Sequence, residues 1–138
     1  MNRVTRRIAV LTILLAATSL VSADDLTGSD ELLCSPMLAN ACLPDDGCEQ
    51  KAPWALNIPL FIEIDLKARK MSTTEASGLN RETEINNLVR EDGLIVLQGH
   101  QLRRAFSIVI NEETGLLTFS VSSEDKGAVI FGACTPKP

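Results

Sequence analysis

Tyrosine is absent from this 138-residue chain, tryptophan and histidine occur once each, and aromatics make up only 4% of it. A single histidine leaves little room for Ser-His-Asp or Cys-His chemistry. Few aromatic rings leave little for stacking on bases. Basic residues are in deficit as well: 13 Lys and Arg face 18 Asp and Glu, a net charge of −5. That balance argues against nucleic acid as the main partner. The sequence has no Gly-x-x-x-x-Gly-Lys or Gly-x-Gly-x-x-Gly loop for phosphates, no Gly-x-Ser-x-Gly elbow and no Cys-x-x-Cys-His motif for haem. No cofactor is expected, and the length allows one domain.

Long apolar runs are missing too, except at the start. Arg3, Arg6 and Arg7 precede the run Ile8 to Leu20, and Val21-Ser22-Ala23 follows it. A basic start, a short apolar stretch and small residues at its end form the pattern of a Sec-type signal peptide, with cleavage expected after Ala23. The stretch is 13 residues long, short of the roughly 20 that span a bilayer. An uncleaved anchor is the weaker alternative. Cleavage would remove three arginines and no acid, moving the net charge from −5 to −8. The expectation is a periplasmic or secreted protein with no nucleic-acid partner and no membrane insertion after cleavage. Residues 24–31 read as a flexible acidic arm and residues 32–136 as a single β domain.

Four cysteines follow the expected cleavage point: Cys34, Cys42, Cys48 and Cys134. An even count in an exported chain points to two disulfides, with three pairings possible. Leu43-Pro44-Asp45-Asp46-Gly47 is a strong turn sequence and favours Cys42–Cys48. That choice leaves Cys34–Cys134, tying the start of the domain to its end. Zinc is the competing reading, but the gaps of seven, five and 85 intervening residues do not fit paired zinc knuckles.

From about residue 56 onward, turn signals recur every ten or so residues: Asp65-Leu66-Lys67, Ser77-Gly78, Glu91-Asp92-Gly93, Gly99-His100-Gln101, Asn111 to Gly115 and Ser123 to Gly127. The runs between them alternate. Leu60, Ile62, Ile64 and Leu66 fall on one face, as do Phe106, Ile108 and Ile110, and again Leu117, Phe119 and Val121. Period two predicts strands with one face on a core. Residues 128–133 are apolar on both faces, which suits a central strand or one covered by the N-terminal segment. The stretch 75–90 fits a helix or a strand, and its flanking turns favour strand. The fold class is all-β: one small antiparallel meander of seven or eight strands, closed as a barrel or folded as a sandwich. Trp54, between Pro53 and Pro59, is expected to plug one end, with an exposed anchor for a partner as the alternative, and Phe106, Phe119 and Phe131 are expected to point inward.

Four segments carry a likeness: Leu97-Gln98-Gly99, then Arg104-Ala105-Phe106-Ser107 with Val109-Ile110, then Thr114-Gly115-Leu116-Leu117-Thr118, and Phe131-Gly132-Ala133-Cys134-Thr135. In that order they resemble a group of short exported bacterial proteins with no assigned activity. The resemblance implies export and a β-rich domain, and it transfers no catalytic residue.

Individual residues point weakly to chemistry. His100 lies in an expected turn and should be solvated. Glu63 with Asp65, Glu82 with Glu84, and Glu112 with Glu113 put two carboxylates close together, but on faces opposite the apolar residues. Asp45-Asp46-Gly47 lacks the remaining ligands of a calcium loop. Two basic groups, Lys67 with Arg69 and Lys70, and Arg103 with Arg104, are possible partner contacts. The leading expectation is a non-catalytic binding module in the cell envelope. Two alternatives share that build: a periplasmic lysozyme- or protease-inhibitor-like barrel, and a lipocalin-like carrier of a small apolar ligand. An enzyme working through Glu63 or Glu82 is a further class, and it requires a buried carboxylate.

Overall fold

The computed structural model describes residues 24–78 and 80–138; the expected signal peptide lies outside them. The described chain is all-β. Its strands are β1 (Glu31–Leu43), β2 (Gly47–Lys51), β3 (Ile62–Asp65), β4 (Lys70–Thr73), β5 (Glu82–Glu84), β6 (Asn87–Glu91), β7 (Leu94–Gln101), β8 (Arg104–Asn111), β9 (Leu116–Ser122) and β10 (Gly127–Pro136). Ten strands replace the seven or eight expected. The surplus comes from β2, a hairpin partner of β1 that stands off the main path, and from the division of 82–91 into two short strands.

Every pairing is antiparallel, in the order β5-β4-β3-β1-β10-β9-β8-β7-β6. The two outermost strands of this path, β5 and β6, are separated in the chain only by Ile85 and Asn86. The Ile85 amide donates to the Arg69 carbonyl at 2.9 Å, and the Asn86 amide to the Gln98 carbonyl at 2.9 Å. One bent segment therefore serves both margins of the curled sheet, leaving few unpaired edge groups. Gly99 permits the approach. A Cβ there would lie 2.6 Å from the Phe106 ring and 2.8 Å from the Glu84 carbonyl oxygen. The Gly99-His100-Gln101 turn expectation is thus corrected: these residues lie in β7, and the reversal falls on Leu102-Arg103. Both turn residues have positive φ, 50° and 62°, as a tight two-residue hairpin requires.

β1 and β10, the first and last long strands, run side by side from Leu32↔Pro136 to Cys42↔Gly127. The register slips between Pro36 and Leu38. Proline has no N–H for the ladder, so a bulge is a natural place for it. The slip keeps the apolar side inward: Leu32, Cys34 and Pro36 before it and Ala39 and Ala41 after it are buried. β10 is central in the strand order, the first of the two readings of its two-sided apolar pattern, but its outer face stays exposed at Val129 and Phe131.

The alternating faces of β3, β8 and β9 meet in one core. Ile62 and Ile64 pack with Phe106, Ile108, Ile110, Leu117 and Phe119. The Phe106 and Phe119 rings stand edge to face, with centroids 6.2 Å apart. Phe131 corrects its inward expectation, and Trp54 corrects the plugging role in favour of the exposed alternative. Trp54 is 64% exposed on a 3-10 turn (Pro53–Leu56), and Phe131 is 44% exposed on the outer face of β10. Residues 75–90 are a 3-10 turn followed by strand, not one helix.

The segment 24–31 is not a loose arm. Leu26 has no exposed surface. Its amide donates to the Glu112 carbonyl at 2.7 Å, and the Asp30 carbonyl accepts from the Leu66 amide at 2.8 Å. Arg90 holds the segment from below, donating to the Ser29 carbonyl at 3.0 Å and the Leu26 carbonyl at 3.2 Å while pairing with Glu112. Leu26→Ala is expected to cost about 2–4 kcal/mol, the usual range for emptying a buried leucine site. Urea unfolding checks this; a loss below about 0.5 kcal/mol, the level of an ordinary surface substitution, contradicts the docked arm.

Candidate functional site

The structure distributes charge unevenly around the sheet. On the outer side of β3, β4 and β5 lie Glu63, Asp65, Lys70, Glu82 and Glu84. Lys70 meets Glu82 at 2.7 Å, and Lys137 meets Glu63 at 2.9 Å. The paired carboxylates expected from strand spacing do share a face, and that face is turned to water. Glu112 is the more enclosed acid, and it is bound to Arg90.

The other flank lacks charge. Register aligns Leu38, Phe131, Thr118, Val109, Val96 and Val89 in one outward row across six strands. The next row is Asn40, Val129, Ser120, Ser107, Gln98 and Asn87. Neither row contains an ionisable group. Leu116 and Leu94 stand exposed beside them. Six strands at about 4.8 Å spacing make this face about 24 Å wide.

The expected basic contacts do not form one patch. Lys67 meets Asp30 at 2.7 Å and Lys70 meets Glu82, while Arg69 lies in the β3–β4 turn at φ 54°. The hydrogen bond from Lys67 holds the Asp30 carboxyl below its ordinary range. Arg103 faces Glu124 at 3.2 Å on the exposed β7–β8 turn. Arg104, one residue on, turns toward the open end of the sheet and donates to the Leu56 carbonyl at 3.2 Å.

Arg104 shares its cavity with a residue that local sequence reading missed. Arg81, just before β5, donates to the Asn57 carbonyl at 3.0 Å. Both arginines line a cavity of about 70 Å³. Burial, and then the positive charge of Arg104, lower the Arg81 pKa from its ordinary value. Nothing local in the sequence joins positions 81 and 104; the curl of the sheet does, with Gln101, opposite Arg104 in the β7–β8 pair, donating to the Glu82 carbonyl at 3.1 Å. A larger, open groove of about 520 Å³ runs beside it, between the 3-10 turn and the β9–β10 turn.

His100 is exposed, its Nδ1 3.1 Å from Asn86 Oδ1. Among the described residues no cluster of His, Cys, Asp and Glu could hold a metal ion. The structure pairs Cys34 with Cys134 and Cys42 with Cys48. Each pair occupies directly opposed positions on neighbouring strands.

Comparison with protein-family models, with curated proteins and with solved structures finds no match to this chain.

The two disulfides differ in access. Cys34 and Cys134 are buried, whereas Cys48 is exposed at a hairpin end. Under mild reductant, alkylation and peptide mapping are expected to label Cys42 and Cys48 first, because thiol exchange needs access to the sulfur. Equal labelling of all four cysteines in the folded protein contradicts this difference.

Proposed function

We propose that this chain is a non-catalytic binding module of the periplasm or the extracellular space, and that its uncharged flank docks a partner protein with a complementary apolar surface. One observation carries the reading. In a chain with more acids than bases, two full outward rows across six strands contain no charge while the opposite flank is densely charged. The first row is apolar at Leu38, Phe131, Val109, Val96 and Val89, and the second is mostly uncharged polar. Exposed apolar side chains such as Phe131 and Val109 mark interaction sites, and depletion of charge is the signature of an interface centre. Phe131 stands in that row as an aromatic anchor of the kind that dominates binding energy.

The disulfides and the lack, among the described residues, of a helix long and apolar enough to cross a membrane are compatible with a place outside the cytoplasm. The signal peptide expected over residues 1–23 belongs to the same proposal. Lipocalin-like carriage finds less support. The sheet's concave side is filled by side chains, and the cavity against it, about 70 Å³, is well under the roughly 300 Å³ of a pocket for a drug-sized ligand. The groove of about 520 Å³ passes that size, but it lies open between surface turns rather than inside the sheet. An enzyme built on Glu63 or Glu82 finds less support, since both carboxylates are tied to lysines, Lys137 and Lys70, at the surface.

The test compares capture from an extracytoplasmic extract by three oxidised proteins: wild type, Phe131→Ser with Val109→Ser, and Glu63→Gln with Glu82→Gln. The expected result is one partner protein recovered by the wild type and the charged-flank variant. The face variant should bind it at least about thirtyfold more weakly, as loss of an anchor worth about 2 kcal/mol implies. No recovered partner, recovery indifferent to the face variant, or a wild-type homodimer broken by it would each overturn the reading.

A further inference from the structure

The open end of the sheet brings two positive side chains together over an apolar floor. Buried Ile62, Met71, Phe106 and Phe119 give the apolar lining, and the half-buried Arg81 and Arg104 line the same cavity. No aspartate or glutamate lines this cavity, although acids outnumber bases in the chain. Among the described residues neither arginine forms an ion pair. Each is fixed instead by backbone carbonyls of the same short segment: Asn57 for Arg81 and Leu56 for Arg104.

This arrangement is unusual for a merely structural arginine. A guanidinium carries five N–H donors, and each of these spends one nitrogen on its carbonyl, leaving others for a ligand. Two like charges held half-buried in proximity repel, and an anion between them would relieve that repulsion while gaining charge-assisted hydrogen bonds. Anchoring by carbonyls also prepares the fork, so little side-chain freedom is lost on binding. The apolar floor sets the rest of the ligand. A cavity of about 70 Å³ holds more than the single water that about 10–15 Å³ admits, and much less than a drug-sized molecule.

We propose that the cavity is a binding site for a small monocarboxylate with a short branched alkyl group, its carboxylate bridging Arg81 and Arg104 and its alkyl group resting on Met71 and Phe106. The site is separate from the uncharged flank, so either reading can fail alone.

Isovalerate is the probe, titrated into the disulfide-bonded protein and followed by methyl and amide NMR. Saturable shifts are expected at Ile58, Ile62, Met71 and Val121. Isopentanol, the same alkyl group without charge, should bind at least about tenfold more weakly, the factor that loss of one charged hydrogen bond implies. Arg81→Gln and Arg104→Gln should each weaken isovalerate by a similar factor while the remaining spectrum stays dispersed. Absence of saturable shifts at millimolar isovalerate overturns the proposal. So does equal binding of isopentanol to the wild type, a result that does not depend on any variant folding.

Discussion

The pairing of β1 with β10 is the constraint on which the rest of the molecule depends. Every other neighbouring pair along the main path except β1–β3 joins strands consecutive in the chain, or consecutive hairpins of the meander. β1 and β10 instead bring residues 100 positions apart into register. Such a contact is entropically costly to form and slow to find. The chain places a buried disulfide at that seam, Cys34 opposite Cys134, with Cα atoms 4.0 Å apart. Gly132, two residues before Cys134, lets the strands close: a Cβ there would lie 2.3 Å from the Ser35 carbonyl oxygen. Sulfur, glycine and the Pro36 bulge all act on this one seam.

With that seam made, the two ends of the curled sheet acquire different characters. At one end Leu26 is driven into the core, and Arg90 turns its charge onto carbonyls of the arm that covers it. Those hydrogen bonds, with the Glu112 pair, occupy the guanidinium. At the other end the covering segment is the 3-10 turn and the residues after it. There two guanidiniums are held over an apolar floor with no carboxylate in the lining. The same residue type thus closes one end and leaves polar capacity at the other. The sides of the sheet differ as well. Salt-linked acids and lysines keep β3, β4 and β5 solvated, whereas β10, β9 and β8 present valine, phenylalanine, serine and threonine.

Much of this architecture was legible in the sequence because it is local. Period two in 62–66, 106–110 and 117–119 identified the inward side chains, although Leu60, expected on the same face, lies before β3 and is exposed, and Asp92-Gly93 marked a true hairpin turn. The Pro-Asp-Asp-Gly loop pointed to Cys42–Cys48 and so, by elimination, to Cys34–Cys134. The misreadings arose where one residue type serves two purposes. Gly99 resembled a turn glycine but makes room for the Phe106 ring, while the real turn uses Leu102 and Arg103, neither a favoured turn residue. Asp24, Asp25 and Asp30 made the arm look solvated and hid its buried side chain, Leu26. Trp54 lies on a 3-10 turn, where alternation gives no facing. The uncharged flank depends on register between distant strands and the Arg81–Arg104 pair on the curl that brings the β5 segment to β7, neither of which a local pattern carries.

Equilibrium unfolding of Cys34→Ala with Cys134→Ala, set beside Cys42→Ala with Cys48→Ala, tests the seam most directly. The loops closed are 100 and 6 residues. The chain-entropy relation then gives about 4.7 kcal/mol for the long closure against about 2.2 kcal/mol for the short one. The account predicts that loss of the Cys34–Cys134 bond costs clearly more stability and exposes the β1 and β10 amides to solvent exchange. Equal losses from the two variants, or a long-closure variant as stable as the wild type with β1 and β10 still protected, would contradict it.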